Sequence, residues 1–215
     1  MKQIHSAWQV IQASLAAWWY SWLTLMLLNT LLVLCWISII LGPPATFGFY
    51  YAIHALETSH STNWREFVEG VKIYFFKAWL WALLNIAVVL LLTISIEFYS
   101  QFEQTVVLFV PLLFIGILWF CVQFYALPYF MAQEQKQLYI ALRNGLFTLL
   151  ASPLYSLMLF LFIAFILWLS MLLPILFVIG SPALIAVLGV HAVRERVKTF
   201  QIVPPDNLNN ESTLS

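Results

Sequence analysis

Apolar residues fall in long blocks along this chain, and short polar stretches separate them. The first polar stretch, residues 2–15, sets Ile4, Trp8, Ile11 and Leu15 on one helical stripe, with Gln3, Gln9 and Gln12 around it. That pattern predicts a helix lying in a membrane interface ahead of the first span. The first apolar run covers residues 17–40, opens on Trp18, Trp19, Tyr20 and Trp22, and carries Asn29 near its middle. Gly42, Pro43 and Pro44 are expected to end it, because proline lacks an amide donor and restricts the residue before it.

The next run, 45–56, is short for a span that needs about 20 residues. It either crosses with its ends extended to 39 and 59, or forms a re-entrant or interfacial helix. Asn63, with Glu66 three residues on, predicts a helix start closed by a capping box. Trp64, Phe67, Val68, Val71 and Phe75 then recur at helical spacing, with Arg65, Glu66, Glu69 and Lys72 on the polar side. This predicts an amphipathic cytoplasmic helix over 63–75, lying on the bilayer or against partner subunits.

Further spans are expected at 78–96, 105–129, 149–172 and 174–193. Pro111 and Gly116 interrupt the second of these, and Gly180 and Pro182 the last, as transmembrane helices tolerate. Residues 132–148 read as a second amphipathic segment, with Tyr139, Leu142 and Leu146 on one face. A tail begins at Arg194, and residues 199–215 are expected to be disordered. The fold class is therefore all-α: one polytopic transmembrane domain over 1–198. It has about six helices, or five plus a re-entrant one, and amphipathic cytoplasmic helices.

Composition fits this class. Hydrophobic residues make up 63% of the chain and charged residues 8%, and the mean hydropathy is +0.93. A soluble domain would carry about 25% charged residues. Nine basic residues against nine acidic ones exclude a nucleic-acid partner. With six spans and both termini inside, all nine basic residues fall on cytoplasmic segments, leaving Glu97 and Glu103 on the outer turns. Only Lys2 changes side between the five- and six-span readings. The apolar run begins near Ala16 and is too long for a signal h-region, so no cleavable leader is expected.

An internal echo favours six. Gly42-Pro43-Pro44-Ala45 resembles Gly180-Ser181-Pro182-Ala183, and each opens an apolar run closing in His-Ala, at His54 and His191.

Signals for chemistry are sparse. The chain has no Gly-rich phosphate loop, HExxH or GxSxG. His54, Glu57 and His60, joined by His191 and Glu195, invite a metal, but i and i+6 do not share a helical face. They read as polar interface residues, so no metal, cofactor or catalytic residue is expected, and the protein is read as a non-enzyme. Cys35 and Cys121 read as reduced thiols packed as small hydrophobes. Asn29, Asn85 and Gln123 are intramembrane polar residues; hydrogen bonding across helices is preferred over a substrate pathway, since no buried charge accompanies them. Trp64, Arg65, Phe67, Glu69 and Lys72 form the candidate contact surface for transporter subunits or other membrane proteins.

One resemblance runs through these motifs. Asn29 in an apolar first helix is followed by Gly42-Pro-Pro-Ala-Thr-Phe-Gly-Phe-Tyr-Tyr, then Trp64-Arg-Glu-Phe, then Lys72-Ile-Tyr-Phe-Phe-Lys-Ala. This order resembles the YesL-like family, bacterial integral membrane proteins with a domain of unknown function, often encoded near carbohydrate-uptake genes. The resemblance extends over most of the chain and is specific from about Asn29 to Trp81. This chain has fewer basic residues over 57–61 than the family pattern. The resemblance implies a multi-pass protein of the bacterial plasma membrane and an accessory role in carbohydrate transport. It implies no catalytic residues. A scaffold or assembly factor is the alternative, and a membrane enzyme acting on lipid-borne substrates comes third.

Overall fold

The computed structural model describes residues 2–59, 62–101 and 106–200. The expectations for His60, Glu103 and the tail from 201 lie outside them. Among the described residues every regular element is a helix: α1 (Lys2–Tyr20), α2 (Trp22–Ile37), α3 (Gly42–Ser59), α4 (Trp64–Ser100), α5 (Val106–Ala132), α6 (Leu138–Ala151), α7 (Pro153–Leu172), α8 (Pro174–Ile179) and α9 (Ser181–Thr199). By length and apolarity, α4, residues 109–132 of α5, and α7 are each fit to cross a membrane, and the bent pair α1–α2 passes jointly. Among the described residues this makes three or four candidate crossings by that measure, where the sequence reading expects about six.

Several boundaries differ from that reading. The interfacial helix does not stop at residue 15: α1 runs to Tyr20, and the chain turns by 89° into α2. Packing sets the corner, because α1 lies against α9 and α7 through Ala7, Val10, Ile11 and Ser14. Of the expected stripe only Ile11 is buried; Ile4, Trp8 and Leu15 are exposed. α2 ends at Ile37, ahead of the Gly42-Pro43-Pro44 breaker, which instead occupies the first turn of α3. Proline is well placed there, since the first amides of a helix have no intrahelical acceptor.

The amphipathic stretch at 63–75 and the span at 78–96 form one helix, the 37-residue α4. No proline and no glycine after Gly70 interrupts it. The capping box expected at its start is present, with the Asn63 amide donating to Glu66 Oε2 at 2.7 Å. At ~1.5 Å per residue α4 is ~55 Å long, well beyond the ~30 Å hydrocarbon thickness of a bilayer. Only 6% of its most apolar window is buried.

The last expected span is broken: α8 has six residues, Gly180 interrupts it, and α9 continues to Thr199. Arg194 and Arg196 therefore belong to a helix and not to a tail.

Two buried clusters hold the bundle together, and α3, α4 and α9 contribute to both. Phe47 of α3 packs edge-on against Trp81 and Phe130. A close helix crossing pairs Gly48 of α3 with Gly70 of α4. A Cβ on Gly48 would lie 2.5 Å from the Phe67 carbonyl oxygen, and one on Gly70 would lie 2.9 Å from Gly48 Cα. Small residues permit this approach where lipid removes the hydrophobic drive for large ones to pack inward. α6 follows the same rule: Ala141, Gly145 and Thr148 face inward, while Tyr139 and Leu146 are exposed.

The two echoed motifs open helices at matching depth. Thr46 and Phe49 of α3 line one cavity with Pro182 and Ile185 of α9, and further along Glu57 meets His191. α3 and α9 thus run parallel, each starting at a Gly/Pro motif and ending at the same end of the bundle.

Candidate functional site

Lys77, Lys136, Arg194 and Lys198 lie at that end. α4 starts there, and Lys77 Nζ donates to the Lys136 carbonyl at 2.9 Å, joining the loop after α5. Burial, and then the neighbouring Lys77 ammonium, hold the Lys136 amine below its usual range.

Glu57 of α3 sits at the junction. His191 Nε2 lies 2.6 Å from Glu57 Oε2, Arg194 Nη1 lies 3.7 Å from the same oxygen, and Arg194 Nη2 donates to the Glu57 carbonyl at 3.1 Å. On the other face of His191, Nδ1 is 3.1 Å from Ser14 Oγ, which donates to the Val10 carbonyl at 2.7 Å. A hydroxyl has one proton. With it committed to Val10, Ser14 Oγ is left as the acceptor toward Nδ1.

The structure thus joins His191 to Glu57, as the metal alternative required, but sends Glu195 elsewhere: Ser6 Oγ donates to Glu195 Oε1 at 3.0 Å. Among the described residues no three His, Cys, Asp or Glu side chains form a group able to hold a metal. His54 lies one turn before Glu57 and faces the cavity treated below.

Arg196 is the residue sequence reasoning missed. It is 4% exposed and has no carboxylate partner among the described residues. Its guanidinium lies 3.8 Å from the Tyr155 ring centroid, and it donates to Ser6 Oγ at 2.7 Å and Ser152 Oγ at 3.2 Å. These contacts tie α1, α7 and α9 together. The signal was periodicity: Gly189, Ala192 and Arg196 stand at i, i+3 and i+7, all on the buried face of α9.

Asn29, Asn85 and Gln123 each make side-chain hydrogen bonds, while Asn29 Oδ1 and Gln123 Nε2 are buried without a partner among the described residues. Asn29 of α2 is fully buried and donates from Nδ2 to the carbonyls of Phe177 (3.0 Å) and Val178 (2.7 Å), at the end of α8. Ser181 Oγ donates to the Leu176 carbonyl at 3.0 Å. The break at Gly180 is therefore closed by side chains, as a helix end away from water requires. Replacing Asn29 with Leu is expected to cost about 2 kcal/mol by orphaning those carbonyls. A lower unfolding midpoint in detergent checks this, and an unchanged midpoint speaks against the closure.

Asn85 and Gln123 belong to a reciprocal pair of amide–indole contacts. Trp81 Nε1 of α4 donates to Gln123 Oε1 of α5 at 2.9 Å, and Trp119 Nε1 of α5 donates to Asn85 Oδ1 of α4 at 3.0 Å. Each helix supplies one indole and one amide at i and i+4. Gln123 also lines an apolar cavity of about 650 Å³ between α4, α5 and α7, with Tyr50 and Cys121 in its wall.

Of the candidate contact residues, Phe67 is turned into the core at 3% exposure. Trp64, Arg65, Glu69 and Lys72 are exposed, and the Arg65 guanidinium stands 6.0 Å from the Trp64 ring. Comparison with protein-family models, curated proteins and solved structures gives no match to this chain.

Proposed function

We propose that this chain is a multi-pass protein of the bacterial plasma membrane with about six spans and both ends in the cytoplasm. It acts as a non-catalytic accessory or component of a transport system for carbohydrates, within the YesL-like family. The observation that carries this reading is the strip Trp64, Arg65, Glu69 and Lys72, exposed on α4 and continuous with a stretch long and apolar enough to cross a membrane. A rigid helix about 25 Å longer than a bilayer's hydrocarbon core carries that strip clear of the acyl chains. Arg65 and Lys72 are offset by Glu66 and Glu69, so attraction to anionic lipid nearly cancels at about 1 kcal/mol per basic residue. A protein partner fits this mixed surface better than a lipid one.

A scaffold without a substrate is the second reading. It is favoured by the pairing of Asn29, Asn85 and Gln123 with structural groups in place of a polar pathway. Co-purification in mild detergent tests the first reading. Reversing Arg65 and Glu69 together is expected to remove transporter subunits from the eluate while membrane insertion and yield stay intact. An unchanged partner profile with lower stability would make the strip an internal brace.

A further inference from the structure

We propose that the cavity between α3, α5 and α9 is an anion site that takes a phosphate group, either a phospholipid headgroup or a soluble phosphate ester. The cavity holds about 260 Å³ and is lined by His54, Arg194 and Lys198 over apolar walls that include Pro128, Val190 and Val193. Three nitrogen-bearing side chains from two helices thus face one small volume.

The carboxylates nearby are already engaged. Glu57 is held by His191 and Arg194, and Glu195 accepts from Ser6 on the α1 side. Neither the His54 ring nor the Lys198 amine makes a hydrogen bond within the described residues. Both groups line this cavity, and Arg194, held by Glu57, adds its positive charge at the wall. An ammonium and an imidazole beside the charge of a guanidinium match the several oxygens of a phosphate better than a single carboxylate. The apolar walls suit the carbon skeleton such a group carries. The site is separate from the α4 strip and stands independently of the transport reading.

The test uses the purified full chain in a neutral detergent and reads the thermal unfolding midpoint. One arm titrates inorganic phosphate against chloride at matched ionic strength. The other adds phosphatidylglycerol or phosphatidylcholine to the micelles. A saturable rise with phosphate identifies a soluble ester as the source of the group. A rise with phosphatidylglycerol alone identifies a lipid headgroup. In either case the double variant His54→Gln/Lys198→Gln should bind at least tenfold more weakly, and Lys72→Gln should bind as the native chain does. Should the double variant fail to fold, Lys198→Gln alone, at an exposed position, should still weaken binding about threefold. Equal responses to chloride and phosphate with no lipid effect, no saturable response in either arm, or unweakened binding by the folded variants would each overturn the proposal.

Discussion

Replacing Gly48 with valine is expected to abolish the folded bundle. Even the first carbon of a side chain would lie 2.5 Å from the Phe67 carbonyl oxygen and 2.6 Å from Val71 Cγ2, and backbone cannot yield as a flexible side chain can. Opening the α3–α4 crossing would pull Phe47 from Tyr74, Trp81 and Phe130, the ring cluster at the centre of the larger core. Overpacking typically costs 1–3 kcal/mol, and this contact lies at or beyond the upper end, about 3 kcal/mol or more. Size-exclusion chromatography in detergent should show loss of the monodisperse peak. Gly116 is the control, since its nearest neighbour is Leu92 Cδ1 at 3.6 Å, so Gly116→Ala should elute as the native chain does.

Arg196→Ala is expected to be the most damaging change at a charged position. It removes two charge-assisted donors and the cation stacked on Tyr155, and it leaves a buried void where α1, α7 and α9 meet. Hydrogen bonds to charged groups contribute about 1.5–3 kcal/mol each, but the guanidinium itself is buried without a carboxylate, which offsets part of that. A net loss of about 3 kcal/mol follows. Arg194→Ala, two residues away, should cost about 1 kcal/mol, because that side chain is 40% exposed and its ion pair with Glu57 is long at 3.7 Å. Unfolding midpoints of the two variants should differ clearly. Equal midpoints would remove Arg196 from its place as the tie between the three helices.

How much of this was legible depended on what each residue's neighbours are. Cap and breaker signals are local, so Asn63 with Glu66 marks a helix start without knowledge of the fold, whereas the Gly/Pro motifs at 42 and 180, read as a helix end and as an interruption, instead open α3 and α9. The apolar runs that became α5 and α7 also stand out, because twenty apolar residues have few other fates. Facing was harder. A stripe of large apolar residues points to a core in water, but in lipid it can equally point outward. In α1 the buried face is Ala7, Val10, Ile11 and Ser14, while Trp8 stays outside. In α6 it is Ala141, Gly145 and Thr148, while Tyr139 stays outside. Small residues therefore mark the contacts here, and the periodicity of large ones misplaces them. The split of α4 into two helices was a further error, since a change from amphipathic to uniformly apolar sequence marks a change of surroundings and not a break. At the candidate site, Glu57 and His191 were each visible as polar residues ending an apolar helix. Their meeting across 134 positions depends on α3 and α9 running parallel, which only the internal echo hinted at.

The most direct measurement is cysteine accessibility in intact cells, with Cys35 and Cys121 replaced and single cysteines placed at Ser100 and Glu69, at opposite ends of α4. If α4 crosses the membrane with the basic end of the bundle inside, the cysteine at 100 reacts with an impermeant maleimide, and the one at 69 reacts only after permeabilisation. Labelling at 69 in intact cells would contradict the orientation, and equal labelling at both positions would contradict the crossing itself.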